Sequence, residues 1–207
     1  MPVDPLVSAS SDPARRILEE CERQVLRLRT GKLRIVDVAD ALGMSHANVH
    51  RFFKTRDVLL NALVDRWLKE SEARAQDVLR RDAPAAERLT TMFVEMHRVK
   101  RDRIAAGPGV LEIYNQAMSK RAAAVAAHRD FLIGAVAGLV KDGIASGEFA
   151  VEAVQIPSIL NALEAAMIKF THPKLVAETL DDDTAAQARM VMAVFVCALR
   201  SSPDAFH

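Results

Sequence analysis

The chain contains few residues that interrupt helices, since its 207 residues include only eight glycines and eight prolines. Aromatic residues make up 5% of the chain and hydrophobic residues 50%. A composition rich in alanine, leucine, arginine and glutamate favours helices over strands and supplies enough apolar side chains for a core. The composition therefore predicts an all-α protein with one or two small domains.

Cysteine and long hydrophobic runs are also scarce. Cys21 and Cys197 are the only cysteines, and two distant cysteines define no disulfide framework. Each lies on an apolar stripe, which favours small core residues in a reducing compartment. No apolar run approaches the ~20 residues of a membrane-spanning helix, and residues 1–10, which we expect to be disordered, lack the apolar centre of a signal peptide. These features predict a cytoplasmic protein without membrane contact.

Motifs of enzyme sites are missing as well. We find no glycine-rich phosphate loop and no G-x-S-x-G nucleophile motif, and the carboxylates are spread over helix surfaces. His46 and His50 are four residues apart and would share a helix face, as zinc-binding pairs do, but no cysteine or carboxylate completes a ligand set. We therefore expect no enzymatic activity, no metal and no cofactor.

The segment from Arg34 to Leu63 has the pattern of two short helices joined by a tight turn. Gly43 ends the first apolar helical stripe, as a residue that accepts positive φ would. A second helix then carries Val49 inward, and Ala39 is small where the two helices would cross. This combination predicts a helix-turn-helix, although two core helices with a chance glycine between them would also fit. The net charge of +1 adds nothing to this prediction.

This segment resembles the DNA-binding domain of the tetracycline-repressor (TetR) family. The resemblance is carried by Val38-Ala39, Leu42-Gly43-Met44-Ser45, Val49, His50, Phe53, Arg56 and Leu59. The chain departs from the family at three positions, with His50 for the usual tyrosine, Arg56 for lysine, and Arg34 for a capping threonine or serine. Together with the polar outer face of the second helix, the resemblance implies contacts to duplex DNA from Arg34, Ser45, His46, Ala47, Asn48, His50, Arg51 and Arg56.

Beyond this segment, apolar periodicity predicts nine helices in total. We expect a DNA-binding domain at 1–62 and a ligand-binding and dimerisation domain at 63–207. The resemblance implies a pocket between the helices at 85–105, 110–118, 121–145 and 158–171, although the sequence alone is equally compatible with a plain core. Candidate ligand contacts are Met92, Met96, His97, Leu111, Tyr114, Met118, Phe131 and Met167.

The last two helices are apolar nearly all round and rich in alanine, so they need cover on every side. A second subunit or the chain's own core could supply it, and the resemblance implies a four-helix bundle in a homodimer. The sequence thus predicts a transcriptional regulator, most simply a repressor, that binds a palindromic operator and responds to a small apolar effector. Two alternatives stay open: control by a protein partner without a small ligand, and a helical enzyme with an inert helix-turn-helix.

Overall fold

The computed structural model describes residues 12–120, 122–201 and 206, and the disorder expected for residues 1–10 lies outside them. The described residues form ten α-helices and one 3₁₀ turn, Ala153–Gln155. The α-helices are α1 (Pro13–Leu28), α2 (Ile35–Ala41), α3 (His46–Phe52), α4 (Arg56–Leu79), α5 (Ala85–Ala105), α6 (Pro108–Ser119), α7 (Ala123–Ala145), α8 (Ile156–Thr171), α9 (Pro173–Glu178) and α10 (Thr184–Ser201). The all-α prediction is confirmed.

Short polar side chains cap the first helices and fix where they begin. The Asp12 carboxylate accepts a hydrogen bond from the Ala14 amide at 3.0 Å. The Ser45 and Thr55 hydroxyls each accept one at 3.2 Å from the amide three residues on. These bonds satisfy amides that have no partner within the helix. The starts of α1, α3 and α4 therefore follow from local sequence alone.

Proline accounts for two differences from the predicted boundaries. Helix α6 begins at Pro108, two residues earlier than expected. Pro173 opens α9, a short helix that is additional to the nine expected. Proline suits the first helical position, where an amide hydrogen would be unpaired and φ is already helical. At both positions proline therefore starts a new helix.

The buried apolar side chains form two clusters, and α4 runs through both. The first cluster joins α1, α2, α3 and α6 to the N-terminal half of α4, where Leu63 and Trp67 are fully buried. The second joins α5, α7, α8 and α10 to the C-terminal half of α4 through Ala75 and Val78. A rigid helix thus links the two cores directly.

Helix α6 is fastened to the loop between α1 and α2. Glu112 accepts hydrogen bonds from the Gly31 amide at 2.7 Å and the Thr30 hydroxyl at 3.3 Å. A Cβ added at Gly109 would lie 2.6 Å from the Thr30 carbonyl carbon. Only glycine permits this approach, so the start of α6 and the α1–α2 loop are in direct backbone contact.

Among the described residues, α7 is the one helix long and apolar enough to cross a membrane by length and composition, with a mean hydropathy of 1.5. The core helix of a soluble protein can meet the same criterion. In this fold α7 packs against α4, α5 and α8. Its buried residues Val136, Leu139 and Val140 belong to the second core. Packing within the chain therefore accounts for the apolar side chains on the buried side of α7.

The backbone contact at Gly109 generates a stability prediction. Gly109→Ala should lower the free energy of unfolding by about 1–3 kcal/mol, because the new methyl group overpacks a rigid backbone contact. Gly138→Ala is the matched control, since its Cβ would meet nothing within 4 Å and alanine should stabilise helix α7 by about 0.5–1 kcal/mol. Urea unfolding of both variants measures the difference. Equal effects of the two substitutions would contradict the close approach.

Candidate functional site

Helices α2 and α3 meet at a turn that glycine makes possible. Gly43 adopts φ +61°, and the Met44 amide donates to the Ala39 carbonyl at 2.9 Å, which closes the end of α2. Ala39 and Val49 are buried at the crossing, with 1% and 0% of their surface exposed. The geometry is that of a helix-turn-helix, in which the second helix is held at an angle and its outer face is free.

The outer face of α3 carries the side chains that the sequence analysis assigned to base reading. His46, Ala47 and Arg51 are exposed and Asn48 is half-buried. The Arg51 guanidinium lies over the Phe52 ring, 5.6 Å from its centroid, which steadies the side chain while its donors face outward. Ser45 is exposed at the helix start and is engaged in capping. One short helix thus presents amide, guanidinium and methyl groups together.

His50 is positioned by the end of its own helix. Its Nδ1 lies 3.0 Å from the Lys54 carbonyl oxygen and therefore carries hydrogen, because a carbonyl only accepts. The ring stacks edge-on against His46 with centroids 4.3 Å apart. In the neutral ring Nε2 would then lack hydrogen, so His50 can donate outward only when protonated. No group of three or more potential metal ligands occurs among the described residues.

The two predicted DNA contacts that flank this motif, Arg34 and Arg56, have partners within the chain. Arg34 pairs with Asp37 through two bonds of 2.9 and 2.6 Å, both on the surface. Arg56 donates to the carbonyls of Leu33, at 2.8 Å, and Gly31. Exposed Arg34 can exchange its partner for a phosphate at little cost, whereas Arg56 holds the loop in which Gly31 also meets α6. Their contacts to DNA stay predictions.

A groove of about 290 Å³ opens between α7 and α8. Its walls are mainly apolar and come from Phe93, Leu132, Ile133, Val136, Pro157, Leu160, Leu163 and Met167. Across its mouth the Arg129 guanidinium pairs with the Glu164 carboxylate at 2.9 Å, and both side chains are more than half exposed. Exposed pairs of this kind contribute about 0–1 kcal/mol, so the groove can admit a ligand without a large opening cost.

A second cavity of about 20 Å³ adjoins the groove, and a larger share of its lining residues have polar side chains. It shares Phe93, Leu132 and Thr171 with the groove. Its other walls are Ser71 of α4, Met96, His97 and Lys100 of α5, His128 of α7 and Phe170 of α8. The His128 Nδ1 lies 2.8 Å from the Glu72 carboxylate. Helices α4, α5, α7 and α8 thus enclose a small space, lined by several polar side chains, at the edge of the groove.

The eight candidate ligand contacts are divided between different environments. Met167 lines the groove, and Met96 and His97 line the small cavity. The remaining five are not among the side chains that line these two cavities. Of these, Met92 is fully buried in the second core, and Phe131 packs against that core half-buried. Tyr114 belongs to the first core, its ring 5.3 Å from the Trp67 ring. Leu111 and Met118 are half-buried on α6.

His97 is occupied by hydrogen bonds that hold helix ends together. Its Nδ1 donates to the Phe170 carbonyl at 3.0 Å, and its Nε2 accepts from the Thr184 hydroxyl at 2.7 Å. Burial lowers the pKa of this imidazole below the ordinary histidine value, because the charged form is poorly solvated. His97 therefore joins α5 to α8 and α10 as a neutral ring.

The sequence analysis missed Ser71 and Lys100 at the small cavity. A signal was present for Lys100, because it follows Met92 and Met96 at spacings of four and so continues the buried stripe of α5. The polar residues next to Lys100 in the sequence, however, favoured an exposed position for it. For Ser71, nothing in the polar second half of α4 distinguishes it from exposed serines.

Comparison with known proteins identifies the family. The tetracyclin repressor-like C-terminal domain matches residues 85–192, which is just over half of the chain. A helix-turn-helix followed by this domain defines a class of DNA-binding transcription regulators, and the chain belongs to the tetracycline-repressor family. None of the curated proteins matches the chain significantly.

Solved structures share the fold at low sequence identity. A TetR transcription regulator from Haloarcula marismortui is 23% identical with a TM-score of 0.66, over 90% of this chain and 97% of that one. FadR from Bacillus subtilis, solved in complex with stearoyl-CoA, is 13% identical with a TM-score of 0.62, over 90% and 97%. MexZ, a repressor responsible for antibiotic resistance in Pseudomonas aeruginosa, is 19% identical with a TM-score of 0.59, over 95% and 100%.

The neutral state of His97 predicts how stability depends on pH. The folded-state pKa is lowered, so the unfolded chain takes up the proton first and stability falls as pH drops below the ordinary histidine value of ~6.5. The slope from one such group is at most about 1.4 kcal/mol per pH unit. His97→Gln should reduce the slope, whereas exposed His46→Gln should leave it unchanged. Urea unfolding between about pH 5 and about pH 8 tests this, and an unaltered slope in His97→Gln would refute it.

Proposed function

We propose that this protein is a ligand-responsive transcriptional repressor of the cytoplasm. It binds a palindromic operator as a homodimer through residues 1–62, and residues 63–207 carry dimerisation and effector binding. The observation that carries the proposal is the exposed polar face of α3 in a chain that also has an apolar groove. A small, mainly apolar effector in that groove releases the operator.

The chemistry of α3 suits the major groove of DNA. The Asn48 amide can make paired hydrogen bonds to adenine, and the Arg51 guanidinium can do so to guanine. The Ala47 methyl group can contact a thymine methyl. His50, with Nδ1 bound to Lys54, can donate from Nε2 to a phosphate when it is protonated. Base edges would thus be read by three neighbouring residues, with the phosphate contact beside them.

An apolar surface on α8 and α10 supports the homodimer. Met190 and Val194 expose 64% and 72% of their surface. Around them lie Ala162 and Ala166 of α8 and Val191, Phe195 and Ala198 of α10. Large apolar side chains left exposed beside small residues are typical of a helix-packing interface. Two copies of this surface related by a two-fold axis would form a four-helix bundle.

For the effector to release the operator, it must favour one arrangement of the two recognition helices over another. Helix α4 begins directly after the recognition helix and ends in the second core, beside α5 and α7. Helix α6 contacts the α1–α2 loop through Glu112. A shift of α7 or α8 around a ligand would therefore reach α3 through elements that are packed together throughout.

Substitutions on α3 test the DNA-binding part. Asn48→Ala should change the preferred base at one operator position and weaken the best site by about 1–3 kcal/mol, since a paired hydrogen bond is lost. Asn115→Ala, at an exposed asparagine of α6, is the matched control and should leave affinity unchanged. Selection of bound sequences from a random duplex pool, followed by fluorescence anisotropy, measures both. An unchanged preference in Asn48→Ala would show that α3 does not read bases.

Charge at the α8/α10 surface tests the homodimer. Val194→Glu should convert the dimer to a monomer at micromolar concentration, because each interface would bury an unpaired carboxylate. Val154→Glu is the control, since Val154 is 77% exposed and lies in the 3₁₀ turn outside both helices. Light scattering after size-exclusion chromatography gives the mass, and circular dichroism checks the fold. If the unsubstituted protein is already monomeric at that concentration, the proposed homodimer is wrong.

A further inference from the structure

Lys100 is a half-buried lysine of α5 whose ammonium group lines the small cavity without a carboxylate partner among the described residues. Its Nζ donates to the Thr171 carbonyl at 2.6 Å, and among the described residues it takes part in no salt bridge. Burial lowers its pKa to about 8. An ammonium group has three hydrogens to donate, and an uncompensated buried charge is costly. An anion placed beside this ammonium group would therefore be stabilised.

Ser71 is a second incomplete group in the same cavity. The side chain is 4% exposed, and its hydroxyl has no hydrogen-bond partner among the described residues. Leaving a buried hydroxyl unpaired is unfavourable, and native proteins seldom do so without a reason. A hydroxyl can donate to an incoming oxygen. Ser71 of α4 and Lys100 of α5 thus offer two donors to one space.

The size and position of this space limit what can enter. The cavity of about 20 Å³ holds about one oxygen-sized group, so it admits a single oxygen of a ligand's polar end and not a whole phosphate. Because it shares Phe93, Leu132 and Thr171 with the groove, a molecule can place its polar end here and its apolar body between α7 and α8. The neighbouring carboxylate, Glu72, is already held by the His128 Nδ1 at 2.8 Å.

We propose that the effector is an apolar monocarboxylate, one carboxylate oxygen of which pairs with Lys100 and accepts from the Ser71 hydroxyl while its hydrocarbon part fills the groove. This inference rests on the proposed function, since it names the ligand class of the same groove. A neutral alcohol would fit the groove but could not compensate the ammonium. A cationic amphiphile would place like charges together, which is unfavourable in a poorly solvated space.

Isothermal titration with decanoate, decanol and decyltrimethylammonium tests the inference on the full chain. The parent should bind decanoate about tenfold more tightly than decanol, since a charge-assisted hydrogen bond is gained, and should bind the cation most weakly. Lys100→Met should reduce decanoate to the affinity of decanol and leave decanol binding intact, which also shows that the variant is folded. Exposed Lys174→Met is the matched control and should behave as the parent.

Ser71→Ala provides a second test if Lys100→Met does not fold, and should weaken decanoate several-fold without affecting decanol. Equal affinity of the parent for decanoate and decanol would overturn the carboxylate site while leaving an apolar effector groove in place. A preference for decanoate that persists in Lys100→Met would overturn it as well. If the protein binds none of the three probes but still selects an operator, the monocarboxylate proposal is wrong and the proposed DNA-binding function is unaffected.

Discussion

The structure depends on the backbone contact between Gly109 and Thr30, because it fixes the start of α6 against the loop that leads into the helix-turn-helix. Glu112 holds the Gly31 amide from α6, and Arg56 at the start of α4 holds the Gly31 carbonyl. One peptide segment is thereby fixed by α4, which also reaches the second core, and by α6, which packs against α4, α5 and α9. A change in the position of α6 must therefore also move the α1–α2 loop, which leads into the helix-turn-helix.

This constraint explains why a groove between α7 and α8 can matter to a helix far from it. Packed helices move as rigid bodies between discrete arrangements, and α4 passes continuously from Thr55, its cap, to Ala75 and Val78 in the second core. In our account, ligand binding shifts the helices around the groove and α4 and α6 carry that shift to α3. The Arg129–Glu164 pair at the mouth is weak enough to open for each ligand.

Local sequence predicted much of the fold because caps, glycine turns and apolar periodicity act over a few residues. Gly43 makes the turn expected of it, Ser45 and Thr55 cap their helices as short polar residues commonly do, and the family assignment is confirmed. The partners of Arg56 and His97 could not be predicted, because they come from segments 23 to 87 residues away in sequence. For the same reason the sequence did not indicate which methionine and aromatic residues line a cavity and which fill a core.

The central claim is that a dimer of this chain reads an inverted repeat through α3. Sequencing the duplexes that the purified protein retains from a random pool tests it most directly. The account predicts enrichment of two inverted half-sites with centres about one helical turn, ~34–36 Å, apart or slightly more, and a changed half-site for Asn48→Ala. Retention without any enriched sequence, or enrichment of a single unrepeated site, would contradict it.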